Sequence, residues 1–250
     1  NPTITALQEA YVRKVIDTVN DLDNVLYEIA NEDANGDTAW QKYFINFIRS
    51  YEATKAKQHP IGFTGLSTIG IAELLSSTAD WISPGRSSAY SISDPILSDG
   101  TKVILFDTDH IDWQTTDATL PWRSFTRGNG ILLYDQGLGE VADTGQYNAV
   151  RRAMGQARTY ADRMNLAAMT PRRSIASTQF ALVNPGVEYL VYQPNSQTSF
   201  TVSLPAGTYS YEWFNPSANS VVQTGTVSGG TTVSFTPPFN GDAVLYLLSA

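Results

Sequence analysis

The chain has 250 residues, and 42% of them are hydrophobic, so it can bury a core in each of two units. Its 24 acidic residues outnumber 16 basic ones, and the net charge of −8 argues against nucleic acid or an anionic membrane surface as a partner. The sequence has no cysteine, which excludes disulfides and thiolate metal sites, and it has no apolar run long enough to span a membrane.

The first part of the chain alternates helix-like and strand-like patterns. Residues 3–19 carry apolar side chains at the spacing of one buried helix face, and a short apolar run follows them. Patterns of this kind predict helices at residues 3–19, 40–55, 69–77 and 147–164. They predict strands at residues 24–32, 59–64, 79–84, 102–107 and 131–134. Strands that alternate with helices indicate a parallel α/β sheet whose strand ends share one rim.

Acidic side chains stand at the ends of these predicted strands. The first strand ends in Asn31-Glu32, and the fourth reaches Asp107 and is followed by Asp109. Alternate residues of a strand share a face, so Glu32 would point across the rim toward either Asp107 or Asp109. Carboxyl groups that face each other across such a rim can serve as general acid and base. The pattern therefore predicts a catalytic rim with Glu32, Asp107 and Asp109 as its candidate residues.

From about residue 177 the helical periodicity disappears, and short strand-like runs are separated by Pro, Gly and Asn turns. These runs cover residues 178–183, 188–193, 199–204, 208–214, 221–227, 231–236 and 243–248. Their number and spacing predict an antiparallel β-sandwich. Residues 167–173 are the joint, which gives a partial barrel domain at residues 1–173 and a sandwich domain at residues 174–250.

Several segments resemble known glycoside hydrolases. Asn31-Glu32 is similar to the Asn-Glu pair that carries the acid/base at the end of strand four in clan A (β/α)8 barrels. A wider set of segments resembles bacterial apiosidase-like hydrolases, in which a TIM barrel precedes a small β-sandwich called a collagen-binding domain. That set is residues 24–32, 59–65, 79–84, 107–110, 151–155, 164–171, 212–216 and 239–246. The resemblance implies a secreted or periplasmic hydrolase, any export signal lying upstream of residue 1, with Glu32 as acid/base and a nucleophile on strand seven.

Counted against that family, the chain holds strands four through eight of the barrel, and strands one to three are missing. Five strands cannot close an eight-stranded cylinder, and the first strand keeps an unpaired apolar edge. We therefore expect a truncated barrel that covers this edge by assembling as a homo-oligomer.

A metal site is a second expectation. Asp33, Asn35 and Asp37 place oxygen atoms at alternate positions, as a calcium loop does, although the run lacks the glycine and the bidentate glutamate of an EF-hand. Ca²⁺ is favoured over Mg²⁺ there, and an ordinary Asx-rich turn is the alternative. No cofactor is required by the pattern.

The remaining candidates are substrate contacts. Asn31, His110 and Asp135 follow strand ends, and Trp113 and Trp122 lie in the loop after Asp109, where a sugar ring could stack on them. The favoured function is a glycoside-hydrolase-like hydrolase of a carbohydrate or other small molecule. One alternative is a hydrolase of small esters or lactones on the same truncated scaffold, dependent on Ca²⁺. The other is a non-catalytic protein that binds polysaccharide or matrix protein.

Overall fold

The computed structural model describes residues 1–33, 36–66, 69–85, 91–112, 115–139, 141–194 and 196–250. The chain divides into two compact units: unit 1 comprises residues 1–90 and 101–111, and unit 2 comprises residues 91–100 and 112–250. Among the described residues, no helix has the length and apolar composition needed to cross a membrane.

Unit 1 contains two long helices that begin at side-chain caps, Asn1 and Asp37, and two short helices. They are α1 Pro2–Val19, α2 Thr38–Glu52, α3 Ile71–Leu75 and the start of the short α4 Asp109–Asp112. The Asn1 side chain accepts a hydrogen bond from the Thr3 N–H at 3.0 Å, and Asp37 accepts one from the Trp40 N–H at 3.0 Å. Each cap satisfies a backbone N–H that has no partner within the helix.

Unit 1 contains a parallel sheet in which β1 Tyr27–Glu28, β2 Ile61–Thr64, β3 Trp81–Ser83 and β4 Val103–Asp107 are successive neighbours. Ile61 and Phe63 of β2 are buried, as the continuous apolar run of a strand covered on both faces predicts. Gly62 is required between them because a Cβ at this position would lie 2.0 Å from Cζ2 of Trp81. The predicted parallel arrangement is confirmed in this unit.

The first strand is much shorter than predicted. Only Tyr27 and Glu28 of residues 24–32 are paired, with Ile61 and Gly62. The Tyr27 N–H donates to the Pro60 carbonyl at 3.0 Å, but Pro60 has no N–H to donate to the preceding carbonyl of the first strand, so the ladder cannot extend toward Asn24. Tyr27 is buried and Leu26 is 57% exposed, the opposite of a strand whose Leu26 face packs inward.

A buried carboxylate joins the elements around β1. Glu52, at the end of α2, accepts hydrogen bonds from the Tyr27 hydroxyl at 3.0 Å and from the backbone N–H of His59 at 2.8 Å. The Nδ1 atom of His59 lies 2.7 Å from the same carboxylate, and its Nε2 lies 2.8 Å from the Leu22 carbonyl oxygen. These bonds to Glu52 and Leu22 raise the pKa of His59. The network ties α2 to the segments that lead into β1 and β2.

Unit 2 is dominated by antiparallel strands. They are β6 Thr170–Pro171, β7 Ala181–Asn184, β8 Glu188–Gln193, β9 Phe200–Leu204, β10 Thr208–Asn215, β11 Ser220–Ser228, β12 Thr231–Phe235 and β13 Ala243–Ser249. A six-stranded sheet has the order β11-β10-β13-β8-β7-β6, and β12 pairs with β9. Seven of these strands match the predicted ones within three residues at each end, so the predicted combination of parallel and antiparallel sheets is confirmed.

The central strands of the six-stranded sheet are buried on both faces. Tyr189 and Val191 of β8 join a core with Phe200 and Phe235 of the two-stranded sheet. The alternate residues of β8, Leu190 and Tyr192, join a second core with helices α5 Leu120–Thr126 and α6 Asn148–Arg163. Strand β5 Asn129–Leu132 also belongs to unit 2 and begins two residues earlier than predicted.

The two units do not divide at the predicted boundary between residues 173 and 174. The residues that form α5, which was not predicted as a helix, and α6 fall within the predicted barrel domain at residues 1–173. They pack instead on sandwich strands, where the Tyr160 hydroxyl donates to Glu212 at 2.7 Å and Arg163 donates to the same carboxylate at 2.7 Å. The domain boundary at residue 173 stays a prediction. Within unit 2, α5 and α6 pack against the antiparallel strands.

Candidate active site

Glu32 lies in irregular chain beyond the end of β1, which stops at Glu28. Glu32 and its neighbour Asn31 are both exposed. The strand alternation used to orient Glu32 does not apply to it, because that alternation holds only while the chain stays in the ladder. The turn after β1, and not strand geometry, determines where the Glu32 carboxylate lies.

Asp107 and Asp109 occupy different elements. Asp107 is the last residue of β4, and Asp109 begins α4, so the two do not share a strand face as predicted. The Oδ1 atom of Asp107 accepts a hydrogen bond from the backbone N–H of Asp109 at 3.0 Å, which holds the turn between strand and helix. Burial raises the pKa of the Asp107 carboxyl, and this bond from Asp109 opposes the rise.

Glu32, Asp109 and His110 come together in unit 1. One carboxylate oxygen of Glu32, one of Asp109 and one ring nitrogen of His110 all lie within 4.8 Å of one another. Glu32 is exposed, Asp109 is half-buried and His110 is buried, so the group runs from the surface inward. Of the two candidate aspartates, Asp109 is the one that belongs to this group. The sequence singled out all three residues, as two catalytic candidates and a substrate contact.

His110 has an unusual environment. Only 1% of the residue is exposed, and neither ring nitrogen has a hydrogen-bond partner among the residues that the structure describes. Buried polar atoms in native proteins are nearly always paired, and leaving one unpaired costs about 1–3 kcal/mol. The sequence did not predict this burial, because the helical turn that carries His110 inward is too short to show a periodic pattern.

Asp33 and Asp37 form hydrogen bonds at the start of helix α2. Asp33 accepts hydrogen bonds from the Asp37 N–H at 2.9 Å and from the Gln41 side chain at 3.1 Å, and Asp37 caps the helix. The predicted third ligand, Asn35, lies outside the described residues. Asp33 and Asp37 thus form the hydrogen bonds expected of the Asx-turn alternative, and the calcium site stays a prediction.

Two predicted substrate contacts, Trp122 and Asp135, belong to unit 2 and contact other side chains of that unit. Trp122 is wholly buried, and its ring packs against those of Tyr160 and Tyr192 at centroid distances of 5.8 and 6.2 Å. A ring with no exposed face cannot stack on a sugar, so this assignment is corrected to a core residue. Asp135 forms a two-point ion pair with Arg151 and also accepts from the Gly137 N–H, which argues against a substrate role. Trp113 lies outside the described residues.

Comparisons with known proteins find similar solved structures but no similar sequence. No family model matches the sequence, and no curated protein sequence matches it. A solved glycoside hydrolase aligns with a TM-score of 0.67 at 12% identity, over 97% of this chain and 68% of its own. A family 5 glycoside hydrolase from Bacteroides vulgatus gives 0.68 at 12% identity, over 96% and 65%. The catalytic domain of GH30 xylanase C from Talaromyces cellulolyticus gives 0.56 at 12% identity, over 97% and 67%.

At this level of identity the similarity shows the fold alone. The chain has the fold of glycoside hydrolases over nearly all of its length, and it spans about two thirds of the length of these solved structures. The similarity to that fold extends through the antiparallel sheets, because almost the whole chain is aligned.

Proposed function

We propose that this protein is a glycoside-hydrolase-like hydrolase in which Glu32 is the acid/base and Asp109 is the nucleophile. The observation that carries the proposal is the approach of the two carboxylates, whose oxygens lie within 4.8 Å. A retaining glycosidase needs its carboxyl groups about 5–5.5 Å apart, whereas an inverting enzyme needs about 6.5–9.5 Å to admit a water between them. The separation therefore favours retention of configuration.

The two carboxylates would act in two steps. In the first step, Asp109 attacks the anomeric carbon, the glycosidic C–O bond breaks and Glu32 donates its proton to the leaving oxygen. In the second step, Glu32 removes a proton from water, whose oxygen attacks the anomeric carbon and releases Asp109. An exposed Glu32 is suited to this exchange because both the leaving group and the water reach it from solvent.

Asp107 is assigned a positioning role in this proposal. Its carboxylate holds the backbone of Asp109 at the start of α4, so its replacement would shift the nucleophile without removing it. Asn31, exposed beside Glu32, is the candidate for hydrogen bonding a sugar hydroxyl. The fold similarity supports a carbohydrate substrate, since the aligned proteins are named glycoside hydrolases.

The test uses Glu32→Gln, Asp109→Gly and Glu73→Gln on a panel of aryl glycosides. Glu32→Gln keeps the shape but removes the transferable proton, so turnover should fall by about 10²-fold or more, most strongly for substrates with poor leaving groups. Azide should restore turnover of Asp109→Gly and give a glycosyl azide of inverted configuration, because it attacks from the side that Asp109 vacates. Glu73→Gln alters a half-exposed surface carboxylate of the same unit and should leave the rate unchanged.

Other outcomes select the alternatives. Near-full glycosidase activity of Glu32→Gln would contradict the assigned role. Turnover of small esters or lactones that EDTA abolishes, with no glycoside cleaved, would favour the metal-dependent hydrolase. Equal polysaccharide binding by the wild type and by Glu32→Gln, with no substrate turned over, would favour a non-catalytic binding protein.

A further inference from the structure

The group formed by Glu32, Asp109 and His110 has a composition that a pair of catalytic carboxylates does not explain. A glycosidase pair requires two carboxyl groups, yet a ring nitrogen of His110 lies within the same 4.8 Å. Only 1% of His110 is exposed and, within the described part of the chain, both of its ring nitrogens lack a hydrogen-bond partner. A ring nitrogen and two carboxylate oxygens this close together can form a ligand set for a cation.

The donor types indicate which cation. Ca²⁺ and Mg²⁺ prefer oxygen ligands throughout, whereas imidazole combined with carboxylates suits Zn²⁺, Mn²⁺, Fe²⁺ or Co²⁺. Catalytic zinc sites typically have three protein ligands and keep the fourth position open. The chain has no cysteine and only two histidines, and His59 is already bonded to Glu52 and Leu22. His110 is thus the nitrogen ligand that remains.

The geometry requires only a small closure. Ligand atoms about 2.0–2.2 Å from a tetrahedral zinc ion are about 3.3–3.5 Å from one another. The three donors lie within 4.8 Å of one another, so they would have to approach by at most about 1.5 Å. Asp109 and His110 are adjacent on α4, while Glu32 is exposed and lies outside the strand, so Glu32 can supply the movement.

We propose that Glu32, Asp109 and His110 form a binding site for one divalent transition-metal ion of the Zn²⁺ type. This site goes beyond the proposed glycosidase function and does not depend on it. It has a consequence for that function, because a bound ion engages both carboxylates and prevents them from acting as acid/base and nucleophile. Metal binding and glycoside hydrolysis should therefore exclude each other.

The first experiment uses the full untagged chain after treatment with EDTA and removal of the chelator. ZnCl₂, MnCl₂ and CaCl₂ are titrated separately by calorimetry, and the wild type should bind one Zn²⁺ per chain and bind Ca²⁺ much more weakly. Side-chain ¹⁵N spectra contain signals from two histidines, and Zn²⁺ should move those of His110 and leave those of His59 in place. Unchanged His110 signals at saturating Zn²⁺ would overturn the proposal.

Variants identify the ligands. His110→Gln and Asp109→Asn should weaken Zn²⁺ binding by more than about 100-fold, the upper range for losing a residue that merely supports a ligand. Asp37→Asn makes the same chemical change at the predicted calcium run and keeps a helix cap, so it should bind Zn²⁺ like the wild type. Loss of binding in Asp37→Asn with retention in Asp109→Asn would overturn the proposal, and circular dichroism verifies that each variant folds.

Activity measurements separate this inference from the proposed function. Zn²⁺ binding by a protein whose metal-free form cleaves no glycoside supports the metal site and contradicts the glycosidase. Glycosidase activity in a protein that binds no Zn²⁺ supports the glycosidase and contradicts the metal site. If both are present, Zn²⁺ should inhibit cleavage at the concentration at which it binds, and full activity of the zinc-saturated protein would contradict a site built on Glu32 and Asp109.

Discussion

The Glu52 network gives a prediction whose sign depends on pH. In the wild type, both ring nitrogens of His59 face acceptors, the Glu52 carboxylate at 2.7 Å and the Leu22 carbonyl at 2.8 Å. A neutral imidazole has one N–H and can donate only one of these bonds, so the protonated ring is favoured and the pKa of His59 is raised. A raised pKa stabilises the fold below the unfolded pKa of about 6.5, and the effect is lost as pH rises through the folded pKa.

Glu52→Gln should remove the charged acceptor while keeping the packing. The amide oxygen of Gln can still accept a hydrogen bond from the backbone N–H of His59. The amide nitrogen of Gln can donate to the Nδ1 atom of a neutral His59 ring. The expected loss is the strength of a hydrogen bond to a charged group, about 1.5–3 kcal/mol in the free energy of unfolding at pH 6. The loss should be smaller at pH 9, where the wild type no longer benefits from the protonated ring.

Urea unfolding at the two pH values measures this difference. Glu73→Gln is the matched control, because Glu73 pairs with Lys42 at the surface with 42% of its side chain exposed, and its loss should cost less than about 1 kcal/mol. Amide exchange in β13 of unit 2 provides a second control, since Glu52 lies in unit 1. A Glu52→Gln protein as stable as the wild type, or equally destabilised at both pH values, would refute the reasoning.

Three further predictions concern packing and assembly. Trp122→Ala should lower the free energy of unfolding by about 3–5 kcal/mol, because the indole is wholly buried, and urea unfolding would show a smaller loss if the ring faced a substrate cleft instead. Gly62→Ala should cost about 1–3 kcal/mol by forcing a Cβ against Trp81, and combining it with Trp81→Leu should recover part of that loss in a double-mutant cycle. Helices α1 and α2 and strand β1 line an apolar groove of about 350 Å³ that includes Tyr11 and Phe44. We expect a second copy of the chain to cover this groove. Light scattering that shows a monomer at micromolar concentration would contradict the expected oligomer.

The sequence predicted elements well where one side-chain period ran for many residues. Helix α6 was predicted at residues 147–164 and spans Asn148–Arg163, and β8 was predicted at its observed limits. The first strand failed because its pairing is limited by Pro60, which belongs to the neighbouring strand segment and not to residues 24–32. Strand limits of this kind depend on a partner that local sequence does not identify.

The sequence identified the residues of the candidate site, but it did not predict how their side chains are oriented. Glu32, Asp109 and His110 were all selected from their positions after strands, but the alternation used to orient them did not apply, since Glu32 lies in irregular chain and Asp109 in a helix. The Trp122 assignment failed because polar neighbours in sequence suggested a loop, whereas tertiary packing of α5 against β8 buries the ring. Burial of short elements is set by contacts distant in sequence.

The two-sided burial of the six-stranded sheet limits how the sandwich can be used as a portable module. A piece excised at residue 174 would leave α5 and α6 behind and expose to water the face that carries Leu190, Tyr192 and Phe214. Such a face favours aggregation over independent folding. The smallest transferable piece therefore begins ahead of α5, and recombination that exchanges only the strands after residue 173 would separate two halves of one core.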